Sequence, residues 1–203
     1  FSGFNITVPY KQKIIPFLDE ISDEAKKIGS VNTVKIVKGK LWGYNTDGDG
    51  FVNQLKKNNT KIDGARVKII GSGGSTPAIV YALIKNGAKE IIIYNRTLEK
   101  AEIIAKEYNN VYAKPLSEFS PENCSILINT TSVGLDSDQS PVQSLEGISN
   151  STDVYDLIYS PPVTRFLQMA KDMGCKAYNG YDMLVCQGLL ADEIWFDRKG
   201  LSI

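Results

Sequence analysis

From residue 66 onward, short apolar runs alternate with segments of helical periodicity, and this alternation constrains the fold more than any other feature. Four runs rich in β-branched residues have the length and apolarity of buried strands, namely residues 67–70, 91–94, 126–128 and 154–158. Apolar residues from Ala101 to Tyr108 recur at the spacing of one helical face. A polar segment, residues 136–152, is predicted to be a loop. The pattern predicts an α/β fold with a parallel sheet and helices on both faces.

The first 65 residues show a different pattern. Two runs typical of strands, residues 31–37 and 41–46, flank a short turn that contains Gly39, which predicts a β-hairpin. Residues 11–30 are predicted to be mostly helical, although Pro16 should kink or divide the helix.

The composition excludes several classes of function. The formal charge is zero, from 23 basic and 23 acidic residues, so no basic field exists to attract nucleic acid or an anionic membrane. The apolar runs are far shorter than the ~20 residues that a membrane span requires. Three cysteines without a CxxC pair suggest neither a disulfide framework nor a zinc ribbon. We therefore expect a cytoplasmic protein whose partner is a small molecule.

The chain contains no histidine, and this absence limits its chemistry. It excludes Ser-His-Asp and Cys-His catalysis, a histidine general base and almost every catalytic zinc site. Proton transfer must therefore be carried out by Lys, Asp, Glu, Tyr or Cys, and we predict no metal.

A glycine-rich turn directly follows the strand predicted at residues 67–70 and precedes a predicted helix. Glycines there allow the backbone to approach a pyrophosphate, which the free N–H groups of the helix N-terminus can bind. We predict that the turn binds a dinucleotide through Gly71, Ser72, Gly73, Gly74 and Ser75. A plain tight turn is the alternative, and Thr76 replaces the third glycine of the usual pattern.

The end of the next predicted strand indicates which dinucleotide binds. NAD enzymes usually carry an acidic residue there for the ribose 2′-hydroxyl, whereas this chain has Asn95, Arg96 and Thr97, followed by Lys100. Because a guanidinium is suited to binding a phosphate, these residues predict NADP rather than NAD. In the alternative, Arg96 is a solvated loop residue and Thr97 only caps the next helix.

One amide near the end of the chain lies in an apolar context. If residues 183–196 form a helix, Gln187 shares a face with Leu184, Ala191 and Ile194. A buried amide without a partner is costly, so Gln187 should contact a ligand or another polar group. An internal structural hydrogen bond is the alternative.

Six segments resemble the motifs of shikimate dehydrogenases. They occur in the order of that family and span essentially the whole chain: residues 1–11 (FSGFNITVPYK), 30–33 (SVNT), 43–48 (GYNTDG), 128–134 (INTTSVG), 156–161 (DLIYSP) and 180–187 (GYDMLVCQ). By this resemblance the sequence is identified as a member of that family.

The resemblance implies an NADP-binding Rossmann domain, residues 47–179, and a smaller α/β substrate domain, residues 1–46, to which a helix at residues 180–203 returns. Family members carry further strands and a Ser-x-Ser motif before the point where this sequence begins. The substrate domain is therefore expected to lack its N-terminal part, and these residues alone are expected to bind NADP yet turn over shikimate poorly.

The resemblance also implies the reaction, reduction of 3-dehydroshikimate to shikimate by NADPH in the biosynthesis of chorismate and the aromatic amino acids. Lys11 and Asp47 would be the catalytic pair. Hydride delivery to a ketone leaves charge on its oxygen, which an ammonium can stabilise and protonate, while a carboxylate fixes the ammonium. Without the family, Lys11 would be a surface lysine and Asp47 a turn residue.

Further site residues are implied in the same way. Those that match positions contacting the polyhydroxylated substrate are Asn5, Thr7, Asn32, Tyr159 and Gln187. Those that match the nicotinamide side are Thr131, Ser132, Gly180 and Met183. For Tyr159 and Met183, a place in the core is the alternative.

Three functions stay open at this point. The first is shikimate dehydrogenase. The second is a quinate/shikimate dehydrogenase that uses NAD, against which Arg96 argues. The third is a non-catalytic NADP-binding module, against which Lys11 and Asp47 argue. A monomer, a homodimer and fusion to another enzyme of the pathway are all compatible with the sequence.

Overall fold

The computed structural model describes residues 1–201, which form two compact units. The first comprises Phe1–Asn58, Gly74–Leu83 and the residues from Asp182 onward. The second comprises Asn59–Gly73 and Ile84–Tyr181. The domain boundaries given above stay a prediction.

Residues 1–201 contain ten strands and six α-helices, together with two short 3-10 turns. The strands are β1 (Gly3–Asn5), β2 (Glu20–Ile21), β3 (Thr33–Val37), β4 (Lys40–Tyr44), β5 (Arg66–Ile70), β6 (Glu90–Asn95), β7 (Val111–Pro115), β8 (Ile126–Asn129), β9 (Asp153–Asp156) and β10 (Lys176–Tyr178). The helices are α1 (Asp23–Ile28), α2 (Asp47–Lys57), α3 (Thr76–Lys85), α4 (Leu98–Ala105), α5 (Arg165–Asp172) and α6 (Tyr181–Phe196).

The first unit is built on a mixed sheet with the strand order β1-β3-β4-β2. The predicted hairpin is confirmed as β3 and β4, which pair antiparallel. Its two-residue turn holds Lys38 at φ 50 and Gly39 at φ 80. Positive φ at both positions is typical of a type I′ turn, whose twist matches that of the flanking strands.

The prediction that residues 11–30 are mostly helical is wrong. The segment contains turns, a 3-10 turn at Ile15–Phe17, the short strand β2 and the six-residue helix α1. Apolar side chains of the segment pack on a small core of Ala25, Val31 and Val34. This packing determines their positions, and a continuous helix does not form because tertiary contacts override local propensity.

The second unit contains a parallel sheet of six strands in the order β10-β9-β8-β5-β6-β7. The four strands predicted from apolar runs are confirmed as β5, β6, β8 and β9, although β9 ends at Asp156 rather than at residue 158. α4 packs on β6 and β7, and α5 packs on β9 and β10. The predicted loop at residues 136–152 contains no helix or strand.

This strand order is that of a doubly wound Rossmann fold. The chain runs outward from β5 to β7, then crosses to β8 on the other side of β5 and runs outward to β10. The direction therefore reverses between β5 and β8, and their carboxyl ends mark the position where such folds bind ligands. Within residues 1–201, no helix has the length and apolarity required to cross a membrane.

Candidate active site

A buried ion pair joins Lys11 and Asp47 in the first unit. The ammonium Nζ of Lys11 lies 2.6 Å from Oδ2 of Asp47, and the two side chains are only 10% and 6% exposed. Asp47 is the first residue of α2, where the helix dipole favours a carboxylate. Removing two charges from water costs several kcal/mol for each ion, so a pair buried in this way indicates a requirement other than stability.

Two further side chains hold the pair in place. The hydroxyl of Ser75 accepts a hydrogen bond from Lys11 Nζ at 3.3 Å and donates one to Asp47 Oδ2 at 3.4 Å. The amide of Asn32 donates to Asp47 Oδ1 at 2.8 Å and to Thr46 Oγ1 at 2.9 Å. Lysine has three N–H donors, and two are used in these contacts. The third is therefore available to a ligand oxygen.

Asn45 positions the backbone of the acid and was not identified from the sequence. Its side-chain oxygen accepts from the backbone N–H of Asp47 at 3.0 Å, and its amide nitrogen donates to the carbonyl and the hydroxyl of Ser30. Both residues lie within the family motifs, so the motifs themselves were the available signal.

Asn32 also connects the ion pair to other residues predicted to bind substrate. Its amide donates to Gln187 Oε1 at 3.3 Å, and its backbone carbonyl accepts from the Asn5 amide at 3.1 Å. Thr7 is exposed and lies in the turn before Lys11. The structure thus brings Asn5, Asn32 and Gln187 together around Lys11 and Asp47.

The predicted apolar face of the last helix is partly wrong. Leu184 is 40% exposed, whereas Met183, Cys186 and Ala191 are buried. Because most of α6 is apolar, sequence periodicity could not locate the buried face. Gln187 is partly buried, and its amide nitrogen donates to the carbonyl of Leu184 at 2.9 Å. The internal hydrogen bond considered as an alternative is therefore present.

The glycine-rich turn after β5 contains two glycines with different roles. Gly71 has φ 104, and a Cβ there would lie 2.7 Å from both Thr130 Oγ1 and Thr131 Cγ2, so this position requires glycine. Gly73 is exposed, and a Cβ there would come no closer than 3.5 Å to any atom, that atom being the Thr130 carbonyl oxygen. Protein packing does not demand glycine at 73, whereas close approach of a pyrophosphate to bare backbone would.

The remaining residues of this turn are partly buried. Ser72 belongs to the second unit, while Gly74 and Ser75 belong to the first. A Cβ on Gly74 would lie 3.3 Å from a methyl group of Val8. Ser75, predicted to bind the cofactor, is the residue that bonds to both Lys11 and Asp47.

The residues predicted on the nicotinamide side differ in their surroundings. Thr131 lies against Gly71, and Ser132 is exposed. Gly180 is buried, and a Cβ there would lie 2.1 Å from the Leu157 carbonyl oxygen, so glycine is required for packing. Met183 is 7% exposed, as expected of the core alternative, whereas Tyr159 is 48% exposed and is not a core residue.

The loop after β6 presents Arg96 to solvent. Arg96, Thr97 and Lys100 are exposed, and the Asn95 amide donates to the Thr97 carbonyl at 2.7 Å. Thr97 occupies the N-cap position of α4, but its hydroxyl makes no capping hydrogen bond. Among residues 1–201, none of the ion pairs involves Arg96. Arg96 also borders an open groove of about 1170 Å³ whose lining includes Leu116, Ser120 and Ser144.

The three cysteines are not suited to proton transfer. All are buried and unpaired. Burial raises the pKa of Cys124 to about 11 and also raises those of Cys175 and Cys186, so they remain neutral thiols near neutral pH. In the described part of the chain, no group of acidic or cysteine side chains is arranged to hold a metal ion.

Family models match two parts of the chain. Residues 1–34 match the shikimate dehydrogenase substrate binding domain, and residues 53–135 match shikimate / quinate 5-dehydrogenase. These matches lie on the segments that contain Lys11 and the glycine-rich turn, respectively.

Individual proteins are similar over nearly the whole chain. The shikimate dehydrogenase (NADP(+)) of Carboxydothermus hydrogenoformans is 42% identical over 96% of this chain and 72% of its own length. The ligand-free crystal structure of a Gluconobacter 5-ketofructose reductase has a TM-score of 0.90 and 43% identity, over 98% of this chain and 74% of that one. The shikimate 5-dehydrogenase of Thermus thermophilus in complex with NADP(H) and shikimate has a TM-score of 0.88 and 37% identity, over 97% and 74% of the two chains. The chain therefore belongs to the shikimate dehydrogenase family.

Proposed function

We propose that this chain catalyses the reversible, NADPH-dependent reduction of 3-dehydroshikimate to shikimate. The observation that carries the proposal is the buried Lys11–Asp47 pair, in which one ammonium N–H remains for a ligand oxygen. We further propose that the reaction takes place in the cytoplasm, in line with three unpaired thiols.

The chemistry requires a proton donor at the carbonyl oxygen. NADPH, when bound, supplies the hydride that adds to the ketone carbon. The π electrons of the C=O bond then move to oxygen, and Lys11 stabilises that charge and transfers its proton to form the hydroxyl. In the reverse direction, neutral Lys11 takes the hydroxyl proton.

Asp47 and its neighbours make Lys11 an effective donor. The short contact to Oδ2 fixes the ammonium, and Asn32 satisfies the second carboxylate oxygen. Because Asp47 is held by Asn32, Asn45 and the start of α2, the ammonium is placed before substrate arrives. Such preorganisation means that little rearrangement is needed when charge develops.

Three amides near the ion pair suit a ring with several hydroxyl groups. Asn5, Asn32 and Gln187 each offer both donors and acceptors, and their contacts at 3.1–3.3 Å join them into one network. A substrate hydroxyl can replace the weaker of these bonds without leaving a buried group unpaired. We propose that this network selects vicinal hydroxyl groups.

The residues of the second unit fit NADP. The exposed backbone at Gly73 suits the pyrophosphate, and the unpaired Arg96 suits the phosphate on the adenosine ribose. Asn95, Thr97 and Lys100 flank that arginine and add polar groups and one more positive charge.

A second candidate substrate class is favoured by one comparison. The 5-ketofructose reductase is as similar to this chain as the shikimate dehydrogenases are. Its substrate, like 3-dehydroshikimate, is a ketone with neighbouring hydroxyl groups, which the same lysine and amides can bind. We therefore include polyhydroxylated sugar ketones among the substrates to be tested.

The test is a matrix of ketones and cofactors assayed with the full chain. Oxidation of NADPH or NADH is followed with 3-dehydroshikimate, 3-dehydroquinate and 5-ketofructose. The proposal predicts the highest kcat/KM for 3-dehydroshikimate with NADPH. A higher value for 5-ketofructose would support the second candidate, and a preference for 3-dehydroquinate with NADH would support the quinate enzyme. Tight NADPH binding with slow turnover would still support the enzyme, since poor turnover is expected of these residues alone, whereas tight NADPH binding with no turnover of any ketone would indicate a non-catalytic module.

A further inference from the structure

A buried carboxylate at the end of β9 has no cationic partner among residues 1–201. Asp156 is 1% exposed, and three neutral donors contact it. Asn129 Nδ2 at 3.0 Å and the Ile158 amide at 3.1 Å donate to Oδ1, and the Thr164 hydroxyl donates to Oδ2 at 2.6 Å. Burial raises the pKa of Asp156 to about 6, and none of the interactions that shift it comes from a charged side chain.

The carboxylate belongs to a series of hydrogen bonds that leads through Asn129 to Thr131, next to the glycine-rich turn. Asn129, at the end of β8, is fully buried, and its side-chain oxygen accepts from the Thr131 amide at 3.0 Å and the Thr131 hydroxyl at 2.7 Å. Thr131 Oγ1 in turn accepts from the Val133 amide at 3.2 Å. The methyl group of Thr131 lies against Gly71, so that a Cβ on the glycine would be 2.7 Å from it.

The carboxylate of Asp156 determines which groups donate and which accept in this series of hydrogen bonds. An ionised carboxylate can only accept hydrogen bonds, so Asn129 must turn its NH₂ group toward Asp156. Its oxygen then faces Thr131 and accepts both of that residue's donors. Without the acid, the buried amide could turn over and present N–H groups to the Thr131 N–H, an arrangement that leaves donors unpaired.

We propose that Asn129 and Asp156 are positioning residues for the cofactor, because they fix Thr131 against Gly71 at the carboxyl ends of β8 and β5. The idea rests on the proposed function, since Thr131 and Gly71 are predicted to bind the dinucleotide. Neither Asn129 nor Asp156 touches the reacting atoms in this account. Their effect is therefore expected in the binding of NADPH rather than in the binding of shikimate.

The test compares two substitutions at Asn129 by direct NADPH titration. Asn129→Leu removes the hydrogen bonds that link Asp156 to Thr131. It should weaken NADPH binding about tenfold, which corresponds to ~1.4 kcal/mol. Asn129→Asp places a second carboxyl beside Asp156. While the two carboxyls share one proton, the introduced group can donate to Asp156 and accept from Thr131, as the amide does. When that proton is lost, the two carboxylates repel each other, and the hydrogen bonds that position Thr131 are disrupted.

The Asn129→Asp variant should therefore lose NADPH affinity, relative to wild type at the same pH, as the pH rises. The matched control is Asp153→Asn, at the amino end of β9, where a carboxylate oxygen likewise accepts a threonine hydroxyl, from Thr60 at 2.6 Å. Its NADPH affinity relative to wild type should not depend on pH. A constant ratio for Asn129→Asp across the pH range would overturn the proposal.

A second measurement does not depend on the cofactor. Hydrogen exchange of the Thr131 amide in the free protein should be slow in wild type and at least about tenfold faster in Asn129→Leu, because the acceptor is lost. Unchanged exchange would refute the positioning role. If wild type binds no NADPH, the proposed function fails, and this exchange rate still decides whether Asn129 holds Thr131.

Discussion

Adding one methyl group at Gly50 should displace Gln187 and weaken substrate binding selectively. A Cβ on Gly50 would lie 2.7 Å from Gln187 Cβ and 2.9 Å from its backbone nitrogen. Carbon atoms pack at about 3.5–4.0 Å, so α6 must retreat by about 1 Å at this point. The contact between Gln187 Oε1 and the Asn32 amide, already 3.3 Å, would then be lost.

The expected changes in stability and in the KM for shikimate can be estimated from the packing and hydrogen bonds that the added methyl group disturbs. Overpacking costs about 1–3 kcal/mol, which the better helix propensity of alanine offsets by roughly 1 kcal/mol. Gly50→Ala should therefore fold with modestly reduced stability. One misplaced substrate hydrogen bond is worth about 0.5–1.5 kcal/mol, so the KM for shikimate should rise by about twofold to tenfold.

The assay is steady-state kinetics with each reactant varied in turn. In the oxidation direction, the KM for shikimate should rise, while the KM for NADP⁺ stays at its wild-type value. Gly188→Ala is the control on the same helix, because a Cβ there would meet no atom within 4 Å. It should leave both KM values unchanged and stabilise the fold by roughly 1 kcal/mol. A wild-type KM for shikimate in folded Gly50→Ala would refute the reasoning.

Two further predictions concern the second unit. Arg96→Ala should raise the KM for NADPH by about tenfold to 100-fold, because a charge-assisted hydrogen bond is worth about 1.5–3 kcal/mol, and should leave the KM for NADH unchanged. Arg66→Ala, at the amino end of β5, is the control. An unchanged KM for NADPH in Arg96→Ala would show that Arg96 does not bind the cofactor. Burial raises the pKa of Asp156 from 3.8 to about 6, so between these pH values the folded state binds more protons than the unfolded state. Stability should fall as the pH rises through this window, by about 3 kcal/mol at ~1.4 kcal/mol per pH unit. Denaturant unfolding should show no such fall in Asp156→Asn, and a parallel pH dependence in the two proteins would contradict the assignment.

Whether a strand could be predicted from the sequence depends on its position in the sheet. The predicted strands β5, β6, β8 and β9 are all interior strands of the parallel sheet, and interior strands form continuous apolar runs. The four strands that were not predicted, β1, β2, β7 and β10, are the four sheet edges. Each of these edge strands contains exposed residues, so it lacks that signal.

The helix α2 was missed for a related reason. Gly48 and Gly50 in its first turns lower its helix propensity, yet both lie in closely packed contacts with other helices. A Cβ on Gly48 would lie 2.5 Å from the Ala78 carbonyl oxygen, and Gly50 faces Gln187. The feature that weakened the local signal is thus a tertiary contact.

The candidate site could be predicted only through the resemblance to the family. Lys11 and Asp47 are 36 residues apart, and no local pattern indicates that they meet. The Asn129–Asp156 bond was also missed, although the carboxyl ends of neighbouring parallel strands lie at the same edge of a sheet. Asn129 directly follows the strand predicted at residues 126–128, but Asp156 lies inside the one predicted at residues 154–158, so the predicted bounds hid this pairing.

The central claim is that the Lys11 ammonium donates the proton during ketone reduction. The most direct measurement is kcat for 3-dehydroshikimate reduction by Lys11→Met, a substitution that keeps the length of the side chain but removes its charge and its proton. Proton transfer by a positioned side chain contributes about 100-fold to 10,000-fold, so kcat should fall by that factor while the Kd for NADPH stays close to that of wild type. Turnover within about tenfold of wild type, below the usual range for such a group, would contradict the account.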